Sequence, residues 1–222
     1  MSAIVLYNGF YISSDQHLGT SDTSGITNEQ VNNARQIMIY FLNQGWTKNA
    51  IAGMLGNMQV ESYINPGFTE TKLPDLESNS DMMDYARGVG LVQWTGFTPS
   101  GNQKMVQYAE SIGLNWYDGN AQLQRITYEY QNNIQFDEVT VDGNIYNWND
   151  YIISDESPSK LAKVFQYGYE KGGTDTERRQ QNAEFWFHAG LGTIPPWLLA
   201  VVANRKKRGR QNIIRKRVIR RV

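Results

Sequence analysis

The chain contains no cysteine, which excludes disulfide cross-links and thiolate metal centres and leaves packing to supply stability. Histidine is nearly as scarce. His17 and His188 stand far apart, match no metal-ligand spacing, and are expected as surface or capping residues. Neither belongs to a pattern that would activate a serine or cysteine nucleophile. No cofactor and no metal is therefore expected. The amino end has no basic region followed by an apolar stretch and a small-residue cleavage site, so no secretory signal is expected. A membrane-spanning run is also missing, because IPPWLLAVVA at 194–203 falls short of the roughly twenty apolar residues needed to cross a bilayer.

What is present suffices for a core. With 222 residues, 40% hydrophobic content and six tryptophans, the chain can form one domain of ordinary size with flanking extensions. The net charge of −1 hides an asymmetry. Ten of the 21 Lys and Arg fall between Arg205 and Arg221 with no acid among them, leaving 11 basic against 22 acidic residues elsewhere, a net of −11. Ile214, Val218 and Val222 recur every four places among the arginines, which fits a cationic amphipathic helix. A solvated, unstructured tail is the alternative. As a helix it suits anionic lipid, wall polymers, nucleic acid or an acidic protein partner.

The chain is divided into an arm and linker (1–26), a central body (27–190) and an apolar plus basic segment (191–222). Residues 4–12 read as a strand-like arm, either docking another protein or forming a disordered terminus, and 13–25 as a linker. Thr27 and Gln30 form a capping box ahead of Val31, Ala34, Ile37, Met38, Phe41 and Leu42, with Gly45 as the stop. Thr47 caps a second helix. Spacing is lost between Phe68 and Thr95, where a small β-hairpin or irregular lobe is expected. Further helices are predicted at 104–112, 121–132, 158–169 and 176–189. Asp142-Gly143 signals a hairpin turn, read as part of a surface insertion. The expected fold is α+β, mainly helical.

The second helix carries the chemistry. Ile51, Met54, Leu55 and Met58 recur at i, i+3, i+4 and i+7, and three places further comes Glu61. The apolar stripe ends in an acid. Asn65-Pro66-Gly67 should stop the helix just beyond, which sets Glu61 in the last turn. Desolvation and the negative end of the helix dipole would both favour the protonated carboxyl. An acid that holds its proton near neutral pH can donate it to a leaving group, as cleavage of a glycosidic bond requires. Gly53 and Gly56 cost about 1 kcal/mol each relative to alanine inside a helix, so another element is expected to approach closely there.

GNMQVES followed by NPG, together with GLVQWT at 90–95, resembles the phage tail lysozyme family, and more loosely goose-type lysozymes and lytic transglycosylases. GWTKNAI, RITYEYQNN, FQYGYEKGG and RRQQNAEFWF extend the resemblance over about 27–189. It implies a lysozyme-like fold with a small β-hairpin lobe flanking a cleft, and no cofactor. It places Glu61 on the general acid, Gln93 on the glutamine lining the glycan cleft, and Tyr169 and Glu170 on a tyrosine-glutamate pair near the site. It further implies a protein of the phage virion tail, made in the host cytoplasm, with other tail proteins and peptidoglycan strands as partners. The bond cut would lie on the muramic-acid side.

A second carboxylate would act as nucleophile at about 5 to 5.5 Å from the first, or activate water from about 6.5 to 9.5 Å. Glu70, Asp75, Glu77, Asp81 and Asp84 are the candidates, with Asp84 preferred for its closeness in sequence to the GLVQWT run. A lytic transglycosylase would need none, since the substrate's 6-hydroxyl closes the ring. Trp94 and Tyr63 are expected to offer faces to sugar C–H groups, and Gln93 and Asn65 to bond sugar oxygens. Glu170 is an alternative salt-bridge former across the cleft. A domain that binds glycan without cutting it remains the second function class.

Overall fold

Helix α2 (Lys48–Ser62) is the element around which the others are arranged. The computed structural model describes residues 4–14, 17–71, 73 and 75–189; the expectations about 191–222 lie outside the described residues. Thr47 caps α2 by accepting from the Ala50 N–H, and every residue from Ala50 to Gln59 is buried. The apolar stripe seen in the sequence is thus one side of a helix covered on all sides. Its covers are α1 (Asn28–Asn43), α7 (Pro158–Phe165) and α8 (Thr176–His188).

The two helical glycines explain how covers fit so closely. A Cβ on Gly53 would lie 2.8 Å from the Leu161 carbonyl carbon in α7, and one on Gly56 would lie 2.4 Å from the Arg179 carbonyl oxygen in α8. The expected close approaches are both present. Helix α1 shows the full Thr27–Gln30 capping box and buries Ala34, Ile37, Met38, Phe41 and Leu42. Helices α4 (Asn102–Ser111) and α5 (Gly119–Gln131) pack together beside this group.

The segment expected as arm and linker is fastened to the body. Strands β1 (Val5–Tyr7) and β2 (Phe10–Ile12) form an antiparallel hairpin around Asn8-Gly9, both at positive φ. Phe10 and Ile12 are buried, and β2 lies on α1. Asn33 accepts from the Tyr11 N–H at 2.8 Å and donates to its carbonyl at 2.7 Å. Asn65 does the same for Ser13, at 3.1 and 2.7 Å. Gln30 and Gln59 both donate to the Thr20 carbonyl. These amides sit in or just after helices, so a linker-like composition concealed a segment whose backbone polar groups are met by distant side chains.

Residues 68–95 take the irregular form, with the isolated bridges Thr69–Val89 and Val89–Trp94 and the short α3 (Asn79–Met82) as the regular structure among the described residues. The second hairpin lies elsewhere, in β3 (Val139–Val141) and β4 (Asn144–Tyr146), joined at Asp142-Gly143. It is more than a surface insertion. Val141 and Tyr146 are buried, β3 lies on α7, and the following α6 (Trp148–Ile152) sends Trp148 into the core. There the Trp148 ring lies 4.7 to 6.4 Å from those of Phe136, Trp46, Tyr169 and Phe165. The helix expected at 158–169 breaks after Phe165 into a π turn, Gln166–Glu170, that ends at left-handed Lys171. Such turns often mark functional positions.

Gly56→Ala tests the α2–α8 contact. Helix propensity favours alanine by about 1 kcal/mol, whereas forcing a methyl against backbone costs typically about 1–3 kcal/mol. The contact atom is a backbone carbonyl that cannot rotate away, so a net loss is expected, read as a fall in Tm of about 2–8 °C. An unchanged or higher Tm would show that the helices are free to separate.

Candidate active site

Glu61 lies in the last turn of α2, and its side chain, 23% exposed, opens into a hollow of about 510 Å³ that it shares with Tyr63, Phe68, Glu70 and Gln93. A second hollow of about 460 Å³ is walled by Trp94, Ser100, Gln135 and Tyr169. Gln93, Thr95 and Glu170 line both, so the two form one groove that passes the end of α2.

An abrupt chain reversal shapes this end. Tyr63 and Ile64 both adopt left-handed φ, 58° and 55°, a conformation that side-chain-bearing residues enter only when their surroundings hold them. Here Asn33 donates to the Ile64 carbonyl at 2.8 Å and the His17 ring stacks on Tyr63 at 3.7 Å. Ser62 Oγ donates to the Leu91 carbonyl at 2.9 Å, while Gln122 accepts from the Leu91 N–H and donates to the Pro66 carbonyl. The loop bearing Gln93 is thereby tied to the helix bearing Glu61. Gln93 itself is left-handed, φ 48°, and its Nε2 donates to the Gly90 and Phe68 carbonyls. Oε1 is the part of that amide with capacity for a ligand.

The surroundings of Glu61 differ from those expected. In place of an acid isolated on an apolar face there is an ion pair, with Arg179 Nη2 2.5 Å from Glu61 Oε1. Arg179 is buried. Its Nε donates to the Thr174 carbonyl and its Nη1 to Asn57 Oδ1 at 3.0 Å, and Asn57 is fixed by donating to the Ala162 and Gly53 carbonyls. The salt bridge expected of Glu170 is thus made by Glu61. Glu170 instead keeps a buried oxygen, Oε1, with no hydrogen-bond partner. Burial pushes its carboxyl well above the usual range, and repulsion from Glu61 adds to this while Arg179 opposes it.

A second buried acid escaped the sequence reading. Glu129 accepts from Trp94 Nε1 at 3.1 Å, Arg125 Nε at 3.0 Å and the Tyr169 hydroxyl at 2.5 Å. Burial still raises it to about 7, against the pull of Arg125 and the donors. These bonds decide the roles of Trp94 and Tyr169, both nearly fully buried: they wall the groove, and their polar atoms are spent on Glu129. Asn65 is likewise removed from sugar binding, being fully buried and committed to Ser13 and the Gly67 N–H. Asp84 is exposed and lines neither hollow. Glu70 is the loop candidate that does face Glu61's hollow, held by Arg87 at 3.3 Å and the Gly88 N–H at 3.1 Å. Tyr63 and Gln93 line the hollow of Glu61, joined by Phe68.

The missed residues left faint signals. Arg125 and Glu129 are spaced i, i+4 on the helix face that also carries buried Gln122, and a polar stripe of that kind in place of an apolar one marks an internal network. Arg179 stands four and seven places before Ala183 and Trp186 on the buried face of α8, which separates it from exposed Arg178.

Comparison with known proteins fits this geometry. Morphogenesis protein 1 of Bacillus phage B103 is 38% identical over 165 residues, 74% of this chain and 40% of that protein. The chain therefore matches less than half the length of this relative. The family model for phage tail lysozyme matches residues 32–189, which takes in the helices from α1 to α8 and both walls of the groove, so the chain belongs to the phage tail lysozyme family.

Proposed function

We propose that this chain is a glycoside hydrolase of the phage virion tail that cuts the β-1,4 glycan backbone of peptidoglycan between N-acetylmuramic acid and N-acetylglucosamine. The observation that carries the reading is the position of Glu61, a partly shielded carboxyl at a helix end that opens into a groove beside Gln93, Tyr63 and Phe68. A glycan strand would run along the two hollows. The rings of Tyr63 and Phe68 suit sugar C–H faces, and Gln93 Oε1 suits an acetamido N–H. Protonated Glu61 donates to the departing glycosidic oxygen as positive charge develops on the sugar ring. Glu70, on the same hollow, orients and deprotonates the attacking water.

One observation favours a second reading. Glu70 is already engaged by Arg87 and about half exposed, whereas a lytic transglycosylase needs only one acid and closes a 1,6-anhydro ring on the substrate itself. The morphogenesis name of the B103 relative supports a place in phage particle assembly, with cutting that opens the wall for genome ejection. Contacts with other tail proteins, and of the basic segment 205–221 with nucleic acid, anionic lipid or wall polymers, belong to the same proposal.

Clearing of purified cell walls by the full chain and by Glu61→Gln tests the acid. The substitution keeps size and removes the transferable proton, so the rate should fall by about 10²–10⁴. Equal clearing by both proteins would remove Glu61 from the mechanism, and no clearing by either would assign the groove to binding alone. Glu70→Gln separates the two reaction types when the released sugars are weighed by mass spectrometry. Reducing ends, with a rate about tenfold or more below the unsubstituted chain, are expected for hydrolysis. Anhydro ends at an undiminished rate would establish transglycosylation.

A further inference from the structure

A general acid must carry a proton, yet Glu61 is held by a guanidinium, the partner that stabilises the carboxylate. Glu170 presents the opposite condition, a part-buried side chain whose inner oxygen, Oε1, no donor meets. Both side chains line the hollow of Glu61, and both interact with Arg179. We propose that Glu170 is a positioning residue that shares one proton and one guanidinium with Glu61: in the empty groove the proton rests on Glu170 while Arg179 binds Glu61, and when glycan fills the groove the proton passes to Glu61 as Arg179 turns to Glu170. This rests on the reading of Glu61 as the acid.

Among the described residues, the charged and titratable groups around Glu170 leave it no other source of compensation. Glu61 faces it from α2, Arg179 from α8, Glu129 from α5 and Tyr151 from α6, with Tyr169 and Lys171 on its own segment. Glu129 has its own cation in Arg125. Lys171 is paired with Asp137 at 3.0 Å. The Tyr151 hydroxyl donates to the Ala50 carbonyl and that of Tyr169 to Glu129, and burial pushes both phenols further up, so they stay neutral. Among the described residues Arg179 is the cation left for two carboxyls. If both were ionised the cluster would carry one uncompensated negative charge where solvent reaches only in part, which a proton on either oxygen pair relieves.

The exchange balances. One proton leaves Glu170 and arrives on Glu61, one guanidinium contact breaks and another forms, and the three groups together remain neutral. Glu61 then gives that proton to the leaving oxygen, Glu70 takes one from the attacking water and releases it to solvent, and the Glu61–Glu170 pair takes one proton back from solvent. Gly172 and Gly173, which follow Glu170 in the hollow, fit this movement. A Cβ on Gly173 would lie 3.3 Å from Arg179 Nη2, and a side chain there would crowd the guanidinium.

Glu170→Gln tests the sharing, because glutamine has no proton to supply and offers the guanidinium no negative charge. Wall clearing by the full chain is measured from acid to alkaline pH. In the variant, Arg179 has Glu61 as its remaining carboxylate, so the alkaline limb should move to lower pH by about one unit or more, a tenfold loss on that limb, with activity recovered in acid. A loss uniform across pH would mean a merely structural role and overturn the proposal. A second readout needs no activity: NMR titration of glutamate labelled with ¹³C at the carboxyl. The unsubstituted protein should show two carboxyls that hold their protons beyond the ordinary glutamate range, that of Glu129 and that of the pair. Glu170→Gln should leave that of Glu129 alone, and Glu61→Gln should shift the titration of Glu170 to lower pH, since repulsion from Glu61 is gone and Arg179 is free to turn to it. An unchanged titration of Glu170 in Glu61→Gln would show that it holds its proton independently of Glu61 and Arg179 and would overturn the sharing. Absence of clearing by the unsubstituted chain would count against the hydrolase reading, while the titration still decides whether the proton is shared.

Discussion

The groove depends on the close contact of α2 with α8 at Gly56. Without a Cβ at that position, the backbone of α8 comes within reach of α2 at Arg179, and the guanidinium is carried to Asn57 on one side and Glu61 on the other. A cation is buried at a helix contact only when its donors are met. Thr174, Asn57 and Glu61 meet them here. The packing of two helices and the charge state of the acid are therefore one constraint: a larger residue at position 56 would move the guanidinium as well as the helix.

The sequence announced what is local. The capping box of α1, the stop after Ser62, the two helical glycines and the Asp142-Gly143 turn each rest on residues a few places apart. Glu61 was visible for the same reason, as an acid closing an apolar stripe. Its partner was not, because Arg179 is 118 residues away and looks from sequence like any helix-surface arginine. Trp94, Tyr169 and Asn65 share one ambiguity. Each has an apolar body or compact stem with a polar tip, and periodicity shows that such a side chain is near the core without showing which group receives the tip. For Trp94 and Tyr169 that group is Glu129, and for Asn65 it is the Ser13 backbone. Asp84 was preferred over Glu70 on closeness along the chain, but the bridges Thr69–Val89 and Val89–Trp94 fold Glu70 toward the GLVQWT run instead.

Three glutamates in and behind one groove meet three environments. Glu129 is buried with a cation and three donors, which makes it a fixed strut for Trp94 and Tyr169. Glu61 has a cation and partial access to solvent. Glu170 is part-buried, with its inner oxygen bare. Residue type alone assigns none of these roles. A fully satisfied buried carboxyl stiffens its neighbours, whereas an unsatisfied one is a standing cost that a fold keeps only where the group does something that satisfaction would prevent.

Rigidity is distributed to match. Ser62 ties the end of α2 to Leu91, Gln122 ties the same loop to Pro66, and Gln93 is pinned through its own amide nitrogen. The distance from the Glu61 backbone to the groove-lining amide of Gln93 is thus set before any ligand arrives, as preorganised binding requires. Opposite, after the π turn, Lys171, Gly172 and Gly173 follow one another at positive φ, with the Gly172 N–H donating to the Gln166 carbonyl and Gln166 Nε2 donating to the Gly173 carbonyl. That segment lies over the guanidinium and beside Glu170. A groove with one wall braced and the other built on glycine can hold a polymer in register while the charges behind it rearrange.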